Sequence, residues 1–91
     1  MTFKELYDSM YTLCKEKIDR DTHKGDPMAC DMRDLIFLCN DEWSELITAI
    51  NSFELNKSEK NRQEALKEVA DNINFLLFIS GKISGTKELA R

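Results

Sequence analysis

The sequence predicts an all-α fold, in which a helical bundle is completed by homo-oligomerisation. Apolar residues recur at helical spacing in three separate stretches of the chain. One Pro and three Gly leave little material for the tight turns of a β fold. A chain of 91 residues buries only about 60–65% of its unfolded surface. We therefore expect a second copy to cover part of its apolar surface.

The first helix is predicted at residues 3–19. Residues 2–5, T-F-K-E, form a capping-box pattern, in which the Thr and Glu side chains satisfy free N–H groups at a helix start. The apolar residues that follow at helical spacing are Tyr7, Met10, Cys14 and Ile18. Residues 20–30 have no such period and contain Gly25 and Pro27, so we interpret them as a loop.

Two longer helices follow this loop. The second is predicted at residues 31–53, with Asp31 as its N-cap. The third is predicted at residues 57–80, after an N-K-S-E capping signal, and Gly81 is its expected C-terminal stop. Residues 83–91 then form a short tail with at most one more helical turn. No repeat or linker divides the chain, so all 91 residues are expected to form a single helical domain.

Composition and charge argue against several classes of function. A net charge of -4 and a pI of about 5.0 disfavour a nucleic-acid binder, which needs Lys and Arg against the phosphates. The three cysteines form no C-x-x-C pair, which disfavours a zinc site and a disulfide framework. There is no signal-peptide pattern, and the longest apolar run, residues 75–79, is too short to span a bilayer. We therefore expect a cytoplasmic protein with reduced thiols and no membrane contact.

The acidic residues of the second helix have an unusual placement. Pairs of acidic residues three positions apart occur five times in the chain, and most are expected on solvated faces. On a helical wheel, however, Glu42 lies in the middle of an apolar stripe and Glu45 lies at its edge. That stripe consists of Leu35, Leu38, Cys39, Leu46, Ala49, Ile50 and Phe53. An ionised carboxylate there is costly unless it is neutralised, paired or bound to a metal. Because the stripe contains no Lys or Arg, a metal ion is a candidate partner.

The third helix offers a second pair of carboxylates. Glu68 and Asp71 lie opposite its main apolar face, and beyond residue 73 the helix is apolar nearly all round. Two facing helices that each present two carboxylates would form a cage of oxygen ligands, which Mg²⁺ prefers. The single His of the chain and the lack of a Glu-x-x-His motif disfavour a di-iron site.

These motifs resemble a known family. E-W-S-E at residues 42–45, followed after 22 residues by E-V-A-D at residues 68–71, resembles the E-x-x-E … E-x-x-D signature of the all-α NTP pyrophosphatases. That superfamily includes MazG proteins and dimeric dUTPases. The longer segment at residues 68–77 is also similar to the E-L-V-D-x-x-H-F-x-L segment of the dUTPases. The similarity covers about residues 35–80 and implies a MazG-like bundle assembled as a homodimer or homotetramer.

The resemblance also implies an activity. A member of this superfamily hydrolyses a nucleoside triphosphate to the monophosphate and pyrophosphate, as a house-cleaning enzyme. Mapped onto this chain, the metal ligands and catalytic residues would be Glu42, Glu45, Glu68 and Asp71. They would hold one or more Mg²⁺ ions, or alternatively Mn²⁺, and one carboxylate could take the proton of the attacking water.

Three further residues are candidates for substrate binding. Asn74 stands where the dUTPases carry a His, and it could orient a ligand or the substrate. Lys57 could meet phosphate oxygens, the alternative being a solvated helix start. Trp43 could stack on a base, the alternative being a place in the core or in an interface.

Some positions depart from the dUTPase pattern. Ala49 stands where a further acidic residue is usual, and Asn56 replaces a Trp, so the preferred nucleotide stays open. Two alternative functions also stay open. The chain could be a catalytically weak or inactive nucleotide-binding or interaction module of a phage or mobile element. It could also be a plain helical dimerisation module without metal, although the core-facing carboxylates argue against that.

Overall fold

The structure is a computed structural model that describes residues 1–20 and 25–87. Its three α-helices are α1 (Phe3–Arg20), α2 (Met32–Leu55) and α3 (Glu59–Ile83), with a 3-10 turn at Pro27–Ala29 before α2. There is no β-strand in the part of the chain that is described. This confirms the all-α class. None of the described helices is long and apolar enough to cross a membrane.

Side chains cap the start of each helix. The Thr2 hydroxyl accepts a hydrogen bond from the Glu5 N–H at 3.1 Å, and the Asp31 carboxylate accepts one from the Arg33 N–H at 2.8 Å. Ser58 caps α3, since its hydroxyl accepts from the Asn61 N–H at 3.1 Å. The third helix therefore begins at Glu59, two residues after the predicted start.

The end of α3 differs from the expectation. The helix continues through Gly81 and ends at Ile83, and the left-handed residue that stops it is Gly85, with φ +81°. The Thr86 N–H donates to the Gly81 carbonyl at 2.8 Å and the Gly85 N–H donates to the Lys82 carbonyl at 3.2 Å, which is the Schellman arrangement. The expected further helical turn of the tail is absent from residues 84–87, and residues 88–91 lie outside the described part.

Gly81 has a packing role instead. A Cβ atom at this position would lie 3.0 Å from the Met28 sulfur, so the glycine lets the buried Met28 approach α3 closely. The Lys82 ammonium also donates to the Met28 carbonyl at 3.0 Å. The 3-10 turn is thereby attached to the last turns of α3. The rest of the expected loop, residues 21–24 with His23, lies outside the described residues.

The helix α3 is the central element of the domain. It packs against α2 along much of its length, and it also contacts α1 and the 3-10 turn. The buried apolar core is small, and its members are Cys14, Met28, Leu35, Leu46, Ala65 and Ala70. Among the large side chains of residues 1–20 and 25–87, only Leu35 is fully enclosed.

Many large apolar side chains remain exposed on all three helices. Examples are Phe3 and Tyr11 on α1, each 70% exposed, Phe37 on α2, 68% exposed, and Leu77 on α3, 55% exposed. Single exposed apolar residues are ordinary on a soluble protein. Their number here, beside so small a core, leaves a single chain with much apolar surface in water.

Candidate metal centre

Three carboxylates from two helices meet at one point. Glu42 comes from α2, and Glu68 and Asp71 come from successive turns of α3. Each offers one oxygen atom, and the three atoms all lie within 4.8 Å of one another. All three residues are half-buried. We call Glu42, Glu68 and Asp71 the carboxylate cluster.

A buried amide holds the two helices together beside the cluster. The Asn72 Nδ2 group donates to the Glu42 carbonyl at 3.1 Å and to the Glu68 carbonyl at 2.7 Å. Asn72 thereby ties the backbone of α2 to α3 at the residues that supply the carboxylates. Asn72 was not among the site residues predicted from the sequence. The available signal was an uncharged polar residue between Ala70 and Ile73, two positions of the apolar face, since a buried amide needs partners.

The carboxylates disturb one another electrostatically. Burial, and next the negative charges of Glu45, Asp71 and Glu68, raises the pKa of Glu42 from 4.5 to about 7. A hydrogen bond with the Glu45 side chain acts in the same direction, since a protonated Glu42 can donate to it.

The pKa of Glu68 is raised as well. Burial is again the main cause, the charges of Asp71 and Glu45 add to it, and the charge of Lys17 partly offsets it. The site therefore carries more negative charge than its own side chains can neutralise.

Two oxygen atoms of the cluster have no hydrogen-bond partner. Glu42 Oε2 and Glu68 Oε2 are both fully buried and accept nothing. A buried polar atom without a partner is costly, so native structures rarely leave one. A divalent cation would satisfy both oxygens and reduce the mutual repulsion of the carboxylates. The donor set consists of oxygen atoms only, which fits hard divalent cations as a class.

A cavity of about 500 Å³ opens beside the cluster. Its polar lining consists of Lys17, Glu42, Glu45, Asp71 and Asn74. Its apolar lining includes Ile18, Pro27, Leu35, Leu38, Phe75 and Phe78. This volume is typical of small-molecule sites, which combine a few polar groups with apolar walls. Glu45 thus faces the cavity beside Glu42, although its oxygens lie outside the group of three.

Asn74 is both buried and incompletely bonded. Asn74 is only 5% exposed, and its Nδ2 group donates a hydrogen bond to the Cys14 carbonyl of α1 at 3.1 Å. Its Oδ1 atom has no partner, and the residue lines the cavity. The geometry thus leaves one amide oxygen available to accept a hydrogen bond from a molecule in the cavity.

Lys17 of α1 forms an ion pair with the cluster. Its Nζ atom lies 3.3 Å from Asp71 Oδ1, and the two side chains are only 17% and 19% exposed. The sequence analysis missed this lysine. The apolar stripe of α2 contains no Lys or Arg, as expected, but the Lys17 ammonium reaches the cluster from α1. The residue spacing within one helix does not show which side chains approach from another helix.

The other two candidate residues lie elsewhere. The Lys57 ammonium is 3.6 Å from Glu54 and 5.8 Å from the centre of the Phe53 ring, and its side chain is 63% exposed. Trp43 is 58% exposed. Neither lines the cavity described above. Within one chain, then, the structure brings together Glu42, Glu45, Glu68, Asp71 and Asn74 but not Lys57 and Trp43.

The chain was compared with protein-family models, with curated proteins and with solved structures, and none of them matches. The resemblance to the all-α NTP pyrophosphatases accordingly stays a prediction from the sequence motifs.

Proposed function

We propose that this protein is a nucleoside triphosphate pyrophosphohydrolase of the MazG-like, all-α type that depends on Mg²⁺ or Mn²⁺. It would convert a ribo- or deoxyribonucleoside triphosphate to the monophosphate and pyrophosphate. One observation carries the proposal: the oxygens of Glu42, Glu68 and Asp71 lie within 4.8 Å of one another, beside a cavity of about 500 Å³. The motif resemblance supplies the reaction class.

The carboxylates would hold the cation. Glu42 and Glu68 each have a buried oxygen without a hydrogen-bond partner, and Asp71 lies beside both. A bound divalent ion supplies positive charge against the phosphates and lowers the pKa of a water molecule. Glu45 lines the cavity at the exposed edge of the cluster, so we assign to it the proton of the attacking water.

The rest of the cavity suits the nucleoside. Leu38, Phe75 and Phe78 provide apolar walls against which a flat base can pack, and they exclude water from it. Asn74 Oδ1 is positioned to accept a hydrogen bond from an N–H or O–H group of the substrate. The cavity thus offers both polar and apolar lining side chains, and a nucleotide needs both.

Association of identical chains is part of the proposal. A core with one fully enclosed large side chain is small for 91 residues, while Phe3, Tyr11 and Phe37 are each about 70% exposed. Burying these side chains against a second copy would stabilise both chains. We therefore propose a homodimer or homotetramer. Sedimentation velocity at micromolar concentration tests this, and a sedimenting monomer would exclude it.

The alternative function is a nucleotide-binding or interaction module with weak or no catalysis. The Lys17–Asp71 ion pair is the observation that favours it, because Lys17 already engages one carboxylate of the cluster. A lysine that stayed in place would reduce the charge available for a metal.

Pyrophosphate release from a panel of ribo- and deoxyribonucleoside triphosphates distinguishes these functions. Wild type, Glu68→Gln and the control Glu54→Gln, an exposed glutamate of α2, are compared with Mg²⁺ and with EDTA. We expect Mg²⁺-dependent release that Glu68→Gln loses and Glu54→Gln keeps. If the folded wild type releases nothing from any nucleotide, the enzymatic proposal is wrong and the binding module is favoured.

A further inference from the structure

The ion pair between Lys17 and Asp71 differs from the other ion pairs that the described residues form. The others join residues three or four positions apart on exposed surfaces, such as Lys15 with Asp19, whose side chains are 45% and 52% exposed. The Lys17–Asp71 pair instead joins α1 to α3, and both side chains are more than four-fifths buried. The pairing of neighbouring side chains on the surface of one helix accounts for the other ion pairs but not for this one.

Lys17 lies in the middle of an acidic environment. The carboxylates of Glu42, Glu45 and Glu68 interact with one another there, and Asp71 contacts the lysine directly. One ammonium cannot neutralise four carboxylates. It nevertheless reduces their repulsion, and it does so at Asp71, one of the three residues that the proposed metal would use.

A cation bound to Asp71 and the Lys17 ammonium would repel each other. Both positive charges would lie against one carboxylate, and the ammonium is 3.3 Å from its Oδ1 atom. Lysine has a long flexible stem, so its head can turn without a change in α1. Lys17 also lines the cavity, which is where the phosphates of a substrate would enter.

We propose that Lys17 is an internal counter-ion that competes with the divalent metal for Asp71 and, once displaced, binds a phosphate group of the substrate. This inference rests on the proposed function and adds a residue to it. One observation besides the acidic cluster points to a ligand here. Asn74, which lines the same cavity as Lys17, has a buried Oδ1 atom without a hydrogen-bond partner.

The proposal makes opposite predictions for two ligands. Lys17→Met removes the competitor, so Mn²⁺ or Mg²⁺ should bind about fivefold to tenfold more tightly, the factor expected for the loss of one ion pair. The same change removes a phosphate ligand, so inorganic pyrophosphate should bind the metal-loaded protein about tenfold or more weakly. A general loss of structure would weaken both, so the opposite signs separate the proposed role from a merely structural one.

Isothermal titration calorimetry measures both affinities on the full chain. Lys15→Met is the matched control, because it removes a lysine of the same helix from an exposed ion pair. Lys17→Arg keeps the charge and should restore wild-type behaviour toward both ligands. Circular dichroism of each variant verifies that the helices persist.

Several outcomes would overturn the proposal. If the wild type binds metal and Lys17→Met binds it equally or more weakly, Lys17 is not a competitor, while the proposed function stands. If the metal binds more tightly but pyrophosphate binding is unchanged, the phosphate role is wrong. If neither the wild type nor any variant binds a divalent ion, the proposed function itself fails, and this inference fails with it.

Discussion

Replacing Glu42 by Gln should stabilise the metal-free protein at alkaline pH while abolishing turnover. Burial and the neighbouring carboxylates raise the pKa of Glu42 to about 7, so at pH 8 the folded chain must hold an ionised group that is more stable in water. Gln has nearly the same shape and no charge. The variant therefore keeps the packing and loses the repulsion.

The magnitude follows from the shift. A pKa that rises from 4.5 to about 7 corresponds to at most about 3.4 kcal/mol, at about 1.4 kcal/mol per pH unit. Glu42 is only half-buried, and solvent screening reduces this to about 1–2 kcal/mol. The folded chain favours the protonated form of Glu42. The stability that this form contributes is fully present below pH 4.5 and is lost as the pH rises through about 7 and the carboxylate ionises. Wild type and variant should thus be similar near pH 4.5 and differ most at pH 8.

Urea unfolding in EDTA at a fixed protein concentration, at pH 5 and pH 8, measures this difference. We expect Glu42→Gln to unfold at higher urea than wild type at pH 8, with a melting temperature about 5–10 °C higher. The control Glu54→Gln removes a glutamate from the same helix in an exposed ion pair and should change little. Excess Mg²⁺ should reverse the order, because the metal stabilises only a chain that binds it. Equal stability of wild type and variant at pH 8, or loss of helical signal in the variant, would refute the reasoning.

Three further predictions concern the scaffold. Asn72→Leu removes the hydrogen bonds to the Glu42 and Glu68 carbonyls and should lower the free energy of urea unfolding by about 1–3 kcal/mol. The control Asn51→Leu, at an exposed position, should lower it by less than about 0.5 kcal/mol, and equal effects of the two changes would show that Asn72 does not tie α2 to α3. Gly85→Ala places a Cβ at φ +81° and should lower the unfolding free energy by about 1–2 kcal/mol, and an unchanged stability would show that the Schellman turn is dispensable. The Cys14 thiol is buried, and burial followed by the charge of Asp71 raises its pKa, so iodoacetamide should label it more slowly than the two half-buried thiols; mass spectrometry showing equal rates would contradict this.

The helices could be predicted because their signals are local. Apolar spacing and the caps at Thr2, Asp31 and Ser58 depend on residues within a few positions of one another. The end of α3 was misplaced because Gly81 and Gly85 both qualify as helix stops by residue type. Only the packing of Met28 against Gly81 distinguishes the glycine that continues the helix from the one that ends it.

The carboxylate cluster could be anticipated, but its neighbours could not. Glu42 was singled out because a charged residue in an apolar stripe is an anomaly within one helix. Glu68 and Asp71 were singled out because the helix that carries them becomes apolar nearly all round beyond residue 73. Lys17 and Asn72 act across helices, and their positions depend on how α1 and α2 dock on α3. The sequence pattern predicts which face of each helix is apolar. It does not predict the rotation or the axial position at which two helices pack.

The structure also refines what the apolar stripe of α2 means. Leu35 and Leu46 are buried, whereas Leu38 and Ile50 of the same stripe are 39% and 37% exposed. A helical wheel treats all of these positions alike. In one chain α3 covers only part of the stripe. Leu38 lines the cavity beside the carboxylate cluster, and Ile50 is surface that the proposed second copy would bury.

The identity of the bond that is cleaved tests the central claim most directly. Phosphorus NMR of the preferred nucleoside triphosphate, incubated with the wild-type protein and Mg²⁺, separates the products of cleavage between the α and β phosphates from those of cleavage at the γ phosphate. We expect signals of a nucleoside monophosphate and pyrophosphate, and neither signal with EDTA or with Glu68→Gln. A nucleoside diphosphate with inorganic phosphate, or an unchanged triphosphate spectrum, would contradict it.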